Sequence, residues 1–433
     1  MHTDPKLSRR AFVRHTTLGL AALTVVPRHV LGGPGYTAPS DMIRMGFIGT
    51  GKQSGGLAQR FLDIPEVRMV AACDVHEAKL ARFRNQVHAH YAAAQGKPNF
   101  TGCETYREYE QLIAREDIDA VIVCLPDHWH AIVSIAAMKA GKDVYCEKPM
   151  AHTVAEGRAM VEATRRYGRV FQTGSMQRSW KDFRHAVELV RNGYLGDLQT
   201  VRVNVGDPAR DCDLPEAGTP AGLDWDRWLG PAPQRGYSPV LAPPIEDDSW
   251  PMWRAYSEYG GGILSDWGAH MFDIAQWALD MDESGPVSFV PPTDPLAVRG
   301  LRMTYANGVE MIHEDFGRGW AVQFQGSAGK LEVSRSFLDS DIPGLVARTI
   351  GEDEQRVYRS DDHYRDFLDS IRTRQRPICD VEVGHRSASV CNLANIAYRL
   401  RRPLTWNPVK EKFKGDKEAN ALRGKTYRAP YLL

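Results

Sequence analysis

The sequence predicts an α/β protein: a doubly wound parallel sheet first, then an α+β part built on an open, mostly antiparallel sheet. Three observations predict it. Between residues 41 and 175, short apolar runs alternate with stretches of helical periodicity, the pattern of parallel strands joined by helices. From residue 299 onward, four strand-like runs follow one another with turn residues such as Ala306-Asn307-Gly308 between them, the pattern of an antiparallel sheet. The 433 residues, 43% hydrophobic and 25% charged, are ordinary for a globular chain of two or three domains at ~150 residues each.

Lysine plus arginine total 54 and aspartate plus glutamate also total 54. This balance leaves no basic footprint for nucleic acid and no polybasic membrane anchor, so a ligand must be selected by a local pocket. The seven cysteines have neither a CxxC pair nor a metal-ligand spacing, and no metal site is expected. Cys73, Cys124 and Cys146 lie in or beside apolar runs, where a reduced cysteine acts as a small buried hydrophobe.

Residues 1–40 read as an address. Ser8-Arg9-Arg10-Ala11-Phe12 is a twin-arginine pattern, and Thr16 to Val26 is an uncharged apolar stretch, shorter than the ~20 residues a membrane span needs. The expectation is export through the Tat machinery to the periplasm or beyond. An uncleaved signal would leave a membrane tether.

Ile43–Ile48 reads as a buried strand and runs into Gly49-Thr50-Gly51-Lys52-Gln53-Ser54-Gly55-Gly56, with a helical pattern from Leu57 to Leu62. Glycine is needed where a strand turns sharply into a helix and where backbone must approach a pyrophosphate, which the helix N-terminus then receives. A second strand, Val67–Cys73, ends at Asp74, placed to accept from a ribose 2′-hydroxyl and to repel a 2′-phosphate. NAD is therefore expected over NADP, with Gly49, Gly51, Lys52, Gln53, Gly55 and Asp74 in the dinucleotide site. Strands 120–125 and 143–146 end at Pro126-Asp127-His128-Trp129-His130 and Glu147-Lys148-Pro149, with a helix over 131–140 between them. Ligands of such sheets lie above the carboxyl ends of the strands, which adds Leu125, Pro126, His130, Glu147 and Lys148 to the cofactor side. The expected domains are the signal and linker over 1–40, a Rossmann domain over 41–175, a substrate-binding α+β domain over 176–380, and a C-terminal helix and tail over 381–433 that packs back on the body.

The glycine turn, Glu147-Lys148-Pro149, Asp266-Trp267-Gly268-Ala269-His270 and Asp380-Val381-Glu382-Val383-Gly384-His385-Arg386 together resemble the Gfo/Idh/MocA oxidoreductases, in a branch common among exported bacterial members. The resemblance covers nearly all of the chain after the signal. It implies a Rossmann domain followed by an open-sheet domain that carries the substrate, which fits a strand near 170–174, a helix over 183–192, a strand over 200–205, loops over 207–259, strands over 299–305, 309–314, 320–325 and 330–334, and a helix over 382–400. It also implies no metal, and a homodimer or homotetramer.

Moving a hydride from a secondary alcohol needs a base for the hydroxyl proton and a fixed approach to the nicotinamide. Lys148, at a strand end, can hydrogen-bond the reacting oxygen, and the resemblance gives it that role. Asp266 and His270, four apart, share a helix face, and the resemblance makes them the pair that clasps substrate hydroxyls, with His270 moving the proton. A capped helix with a buried, satisfied histidine is the bland alternative. Trp225, Trp228, Trp250, Trp253, Tyr256, Tyr259 and Trp267 are numerous enough to stack on sugar rings, although most serve a core equally well. Trp253 and Arg254, beside Gly260-Gly261-Gly262, are substrate candidates. Gln177 is expected at the nicotinamide and Arg178 at the substrate; His363 is a lesser candidate. The expected function is NAD-dependent oxidation or reduction of a ring hydroxyl of a sugar, cyclitol or glycoside, on a tightly held cofactor. The alternatives are a redox-neutral NAD-dependent glycosidase working through a transient keto sugar and a non-catalytic sugar binder. Lys148, Asp266 and His270 together speak against the binder.

Overall fold

The structure, a computed structural model, describes residue 38 and residues 41–433. The twin-arginine segment and its apolar stretch lie outside the described residues.

The first sheet is built from β1 (Ile43–Ile48), β2 (Val67–Cys73), β3 (Glu104–Tyr106), β4 (Ala120–Val123), β5 (Asp143–Cys146) and β6 (Phe171–Thr173). Its order is β3-β2-β1-β4-β5-β6, and every pairing is parallel. β4 and β5 are buried at every position, as strands covered by helices on both faces must be. Successive strands are added outward on one side from β1 to β3 and on the other from β4 to β6, and this switch between β1 and β4 opens a crevice at their carboxyl ends. The helix after β4 begins at Asp127, four residues before the sequence pattern starts, because Pro126 sits at its N-cap and leaves Asp127 at its first turn.

The second sheet runs β7 (Leu198–Asn204), β8 (Ser288–Val290), β9 (Leu301–Thr304), β10 (Glu310–His313), β11 (Ala321–Gly326), β12 (Lys330–Ser334), β13 (Leu338–Ser340), β14 (Leu404–Asn407) and β15 (Lys412–Phe413). Their order is β13-β12-β11-β7-β10-β9-β8-β14-β15. Only β7 and β10 pair in parallel. Two helices, Gly262–Ala278 and Lys181–Arg191, share one apolar core with this sheet through Met271, Ile274, Phe183, Val201, Phe324 and Val333.

Residues after 381 do more than pack back on the body: β14 and β15 extend the second sheet at its β8 edge. The helix Val381–Leu400 belongs to both cores, with Val381 and Ala388 against the parallel sheet's helices and Val390 and Leu393 in the second core. It thereby fixes β6 relative to the helix Gly262–Ala278. The helix His363–Thr373, unforeseen in the sequence, seals the parallel sheet with Phe367 and Leu368.

Candidate active site

A cavity of about 690 Å³ starts at the carboxyl ends of β1 and β4 and runs to the helix Gly262–Ala278. At its start the chain turns at Gly49, φ 96°, where a Cβ would overlap the Cys124 carbonyl. A Cβ on Gly51 would meet nothing within 4 Å and would stand in the cavity, so this backbone is a cradle that only glycine leaves open. Asp74 ties the turn together, accepting from Thr50 N at 2.6 Å, Thr50 Oγ1 at 3.0 Å and His76 N at 2.8 Å. Its carboxylate still borders the cavity, as do Lys52 and Gln53. Glycine backbone facing open space at the head of a helix, with a carboxylate one strand away, fits a dinucleotide's pyrophosphate and ribose.

At the far end, Lys148 Nζ donates to Asp266 Oδ1 at 2.7 Å and to the Asp266 carbonyl at 3.0 Å. Arg254 Nε lies 3.5 Å from Asp266 Oδ2. Burial opposes ionisation of Asp266, but Lys148 and Arg254 together hold its carboxyl below the usual range. His270, one helical turn on, is 3% exposed, and its Nδ1 has no hydrogen-bond partner among the described residues. Burial, helped by the Lys148 and Arg335 charges, keeps the imidazole neutral, well below its ordinary pKa. One wall thus carries a paired ammonium and, one helical turn on, a neutral imidazole whose Nδ1 is buried without a partner among the described residues. The Lys148-Pro149 peptide is cis.

The comparisons with known proteins decide the lineage. Residues 43–175 match the family model described as an oxidoreductase family NAD-binding Rossmann fold, and residues 209–433 match that family's C-terminal alpha/beta domain. The chain belongs to the Gfo/Idh/MocA oxidoreductase family. A glycosyl hydrolase family 109 protein of Shewanella pealeana is 30% identical over 210 residues, 45% of this chain and 44% of that one. One from Shewanella baltica is 31% identical over 187 residues, 42% and 39% of the two chains. The matched stretch therefore spans less than half the length of these curated relatives. The same fold occurs in aldose-aldose oxidoreductase from Caulobacter crescentus complexed with glycerol (TM-score 0.57, 21% identity, 84% of this chain and 99% of that one). It also occurs in the WlbA dehydrogenase of Bordetella pertussis in complex with NADH and UDP-GlcNAcA (TM-score 0.60, 17% identity, 84% and 98%).

The structure collects most of the expected Gfo/Idh/MocA site in this one cavity: Gly49, Gly51, Lys52, Gln53, Asp74, Leu125, Pro126, Glu147, Lys148, Trp253, Arg254, Asp266 and His270 all line it. Four expected residues do not. Arg178 is turned inward by the short turn Met176–Ser179 and is buried between Asp273 and Asp282, with Nε 2.8 Å from Asp273 Oδ2 and Nη2 2.7 Å from Asp282 Oδ1. A guanidinium neutralised by two carboxylates inside a core serves the fold, not a ligand. Gln177 is buried too, and its Oε1 accepts from Arg335 Nε at 2.8 Å, so it positions an arginine that does line the cavity. His130 lies beneath the site, its ring nitrogens 2.8 Å from the Leu125 and Pro149 carbonyls. Burial lowers it to about 4, so the neutral ring donates to one of these carbonyls and lies against the other, filling the space between the two strand-end loops. Gly55 lies within the first helix and its carbonyl accepts from Gln86.

The lesser candidate His363 is likewise buried away from the cavity, near Ser179. Trp225 and Trp228 stack on each other at 4.6 Å and, with Tyr256 and Tyr259, build a separate small core, whereas Trp228 also lines the cavity together with Trp250 and Trp267. Glu382, His385 and Glu411 gather within 4.8 Å. Arg158 donates to both glutamates and Arg386 to Glu382, so arginines neutralise this cluster.

Among the cavity residues that sequence reasoning did not single out are Asp127, Trp320 and Arg335. Asp127 is 3% exposed with Oδ1 unpartnered, and burial, with Asp266 nearby, pushes it up to about 8. Its signal was its place at the head of a helix after a parallel strand. Burial likewise raises Glu147 to about 7.

Proposed function

We propose that the protein is an NAD-dependent oxidoreductase acting on a ring hydroxyl of a sugar, cyclitol or glycoside. The observation that carries this reading is the Lys148–Asp266 pair, 2.7 Å apart, beside the neutral His270 imidazole, on the wall of a cavity that begins at a glycine cradle. The nicotinamide, when bound, supplies hydride acceptance and return. Lys148 holds the reacting oxygen through a charge-assisted hydrogen bond and stabilises its developing negative charge. Asp266 orients that ammonium and, with Arg254, fixes neighbouring hydroxyls. The neutral His270 imidazole takes the hydroxyl proton on oxidation and returns it on reduction. Asp74 favours NAD over NADP, because a 2′-phosphate would meet its carboxylate.

A second reading is a redox-neutral glycosidase. In it, oxidation of one ring hydroxyl to a ketone acidifies the neighbouring C–H. Loss of that proton and of the glycosidic oxygen breaks the bond, water adds, and the hydride returns. The segment after Leu241 favours it by folding over the dinucleotide groove: Lys52 Nζ lies 3.9 Å from Asp248 and 5.6 Å from the Trp250 ring, and Lys79 donates to the Pro243 carbonyl at 3.0 Å. A cofactor under this strap stays through many turnovers. Such retention also suits export of the folded, loaded protein through the Tat route, a reading that rests on Arg9 and Arg10 and is tested by replacing both with lysine and following secretion. Light scattering tests the expected homodimer or homotetramer.

The deciding experiment is to purify the protein, identify the nucleotide released on denaturation, and offer sugars and glycosides while following absorbance of the reduced nicotinamide. Net reduction supports the dehydrogenase; bond cleavage without net reduction supports the glycosidase. An absence of bound dinucleotide together with no turnover overturns both.

A further inference from the structure

Resting on the oxidoreductase reading, we propose that the cavity continues past the reacting ring into an outer subsite of Trp267, Trp320 and Arg335. This subsite holds a second saccharide unit bearing a carboxylate, so the substrate is an acidic glycoside and not a free neutral sugar.

The subsite is contiguous with the chemistry. Trp267 follows Asp266 in the chain, and its ring centroid is 5.7 Å from that of His270. Trp320 lies 3.9 Å beyond, and both indoles line the cavity. The three rings are in contact in series, so the wall runs unbroken from His270 to the exposed Trp320 indole.

Two exposed indoles, Trp320 and Trp180, stand beside Trp267 and Arg335, while the third, Trp250, lies over the dinucleotide groove. Only three of the tryptophans are exposed, Trp180 at 38%, Trp250 at 50% and Trp320 at 43%. Trp250 and Trp320 line the cavity, and Trp180 packs against Arg335 at its rim. Apolar surface left open at a polar-rimmed groove marks a binding surface, and flat indole faces suit the C–H faces of pyranose rings.

Arg335 supplies the charge preference. No carboxylate of the described residues lies within 4.0 Å of it; its fixed neighbours are Gln177, whose Oε1 accepts from Nε at 2.8 Å, and the Trp267 and Trp180 rings at 4.4 and 5.6 Å. Held at Nε and on its face, the guanidinium offers its two terminal amino groups, the end-on pair that matches the two oxygens of a carboxylate. The neighbouring acids do not spoil this preference. Asp266 is shared by Lys148 and Arg254, and burial favours the neutral forms of Asp127 and Glu147.

The test compares a glucuronyl disaccharide with the matching glucosyl disaccharide, by calorimetry on the full-length protein as purified and by reduction of its bound nicotinamide. The acidic disaccharide is expected to bind about tenfold more tightly, as one charge-assisted bidentate contact implies. Arg335→Gln should bring the affinity ratio to near one, Arg335→Lys should recover part of it, and Trp320→Ala should weaken both ligands. Equal binding of the two disaccharides by the wild type overturns the subsite, as does an equal loss for both in Arg335→Gln. The two readings separate cleanly. A calorimetric preference with neither reduction nor bond cleavage on any sugar keeps the subsite and removes the oxidoreductase, whereas reduction by neutral monosaccharides at the same rate keeps the oxidoreductase and removes the subsite.

Discussion

Lys148 has both of its acceptors on one residue, the side chain and carbonyl of Asp266. Nothing else among the described residues tethers the ammonium, so removing it empties the reaction centre without disturbing the glycine cradle at the other end. Lys148→Ala should lower kcat by about 10³-fold, the scale of losing a general acid–base or oxyanion-stabilising group, while the nucleotide released on denaturation stays the same; near-normal turnover would remove Lys148 from the chemistry. Asp127 makes a pH-dependent prediction. Burial and the Asp266 charge raise it to about 8, while Lys148, Arg254 and Lys425 pull the other way without prevailing. The folded protein holds this proton more tightly than the unfolded chain, whose carboxyl titrates near ~4. The stability it contributes is therefore whole below pH ~4 and is lost as pH rises through about 8. Asp127→Asn cannot titrate. Relative to wild type its unfolding free energy should improve by up to about 5 kcal/mol between pH ~4 and pH ~8, read by denaturant unfolding at several pH values, and parallel curves would contradict the assignment. Lys148 and His270 were legible because their motifs fall at a strand end and on one helix face. Arg178 misled because its partners, Asp273 and Asp282, lie about a hundred positions away and only the fold brings them together.

At the level of elements, long or strictly patterned segments were readable and edge pieces were not. β12 matches its expected bounds of 330–334, since its alternating side chains face one core. Three-residue strands such as β3, β8 and β13 carry no period of their own and exist because a neighbouring edge accepts them. The helix Val381–Leu400 was legible as a helix, but not in its task of joining two cores. That task depends on close approach at Gly384, where a Cβ would overlap Thr173 Oγ1 on β6 and crowd the Met150 sulfur. Gly384→Ala should cost about 1–3 kcal/mol of stability, the usual penalty for overpacking a filled core. Because β6 and Met150 flank the Lys148 loop, the same variant should also lower kcat. A stability loss with unchanged kcat would show that the loop keeps its position independently of this helix.

For the whole molecule, the sequence announces the dinucleotide half and hides how the second half closes over it. Strand, glycine turn, strand and acid stand in order within some thirty residues, and each constrains the next, so Gly49 through Asp74 can be read locally. The strap after Leu241 comes from a loop-rich region without periodicity, nearly two hundred positions from Lys52, and its meeting with the groove is a property of the assembled chain. Asp248 is fully exposed, so its contact with Lys52 is screened by water and adds little retention. Trp250 is different, since it covers the groove with apolar area and receives the Lys52 charge on its ring. Trp250→Ala should therefore release the nicotinamide about two- to fivefold faster, the worth of an exposed cation–π contact, whereas Asp248→Ala should leave the release rate near that of the wild type. Both rates can be followed by dialysis against charcoal with assay of the retained nucleotide. Equal retention in all three proteins would mean that the groove alone holds the cofactor, and the redox-neutral reading would lose the structural feature that favours it.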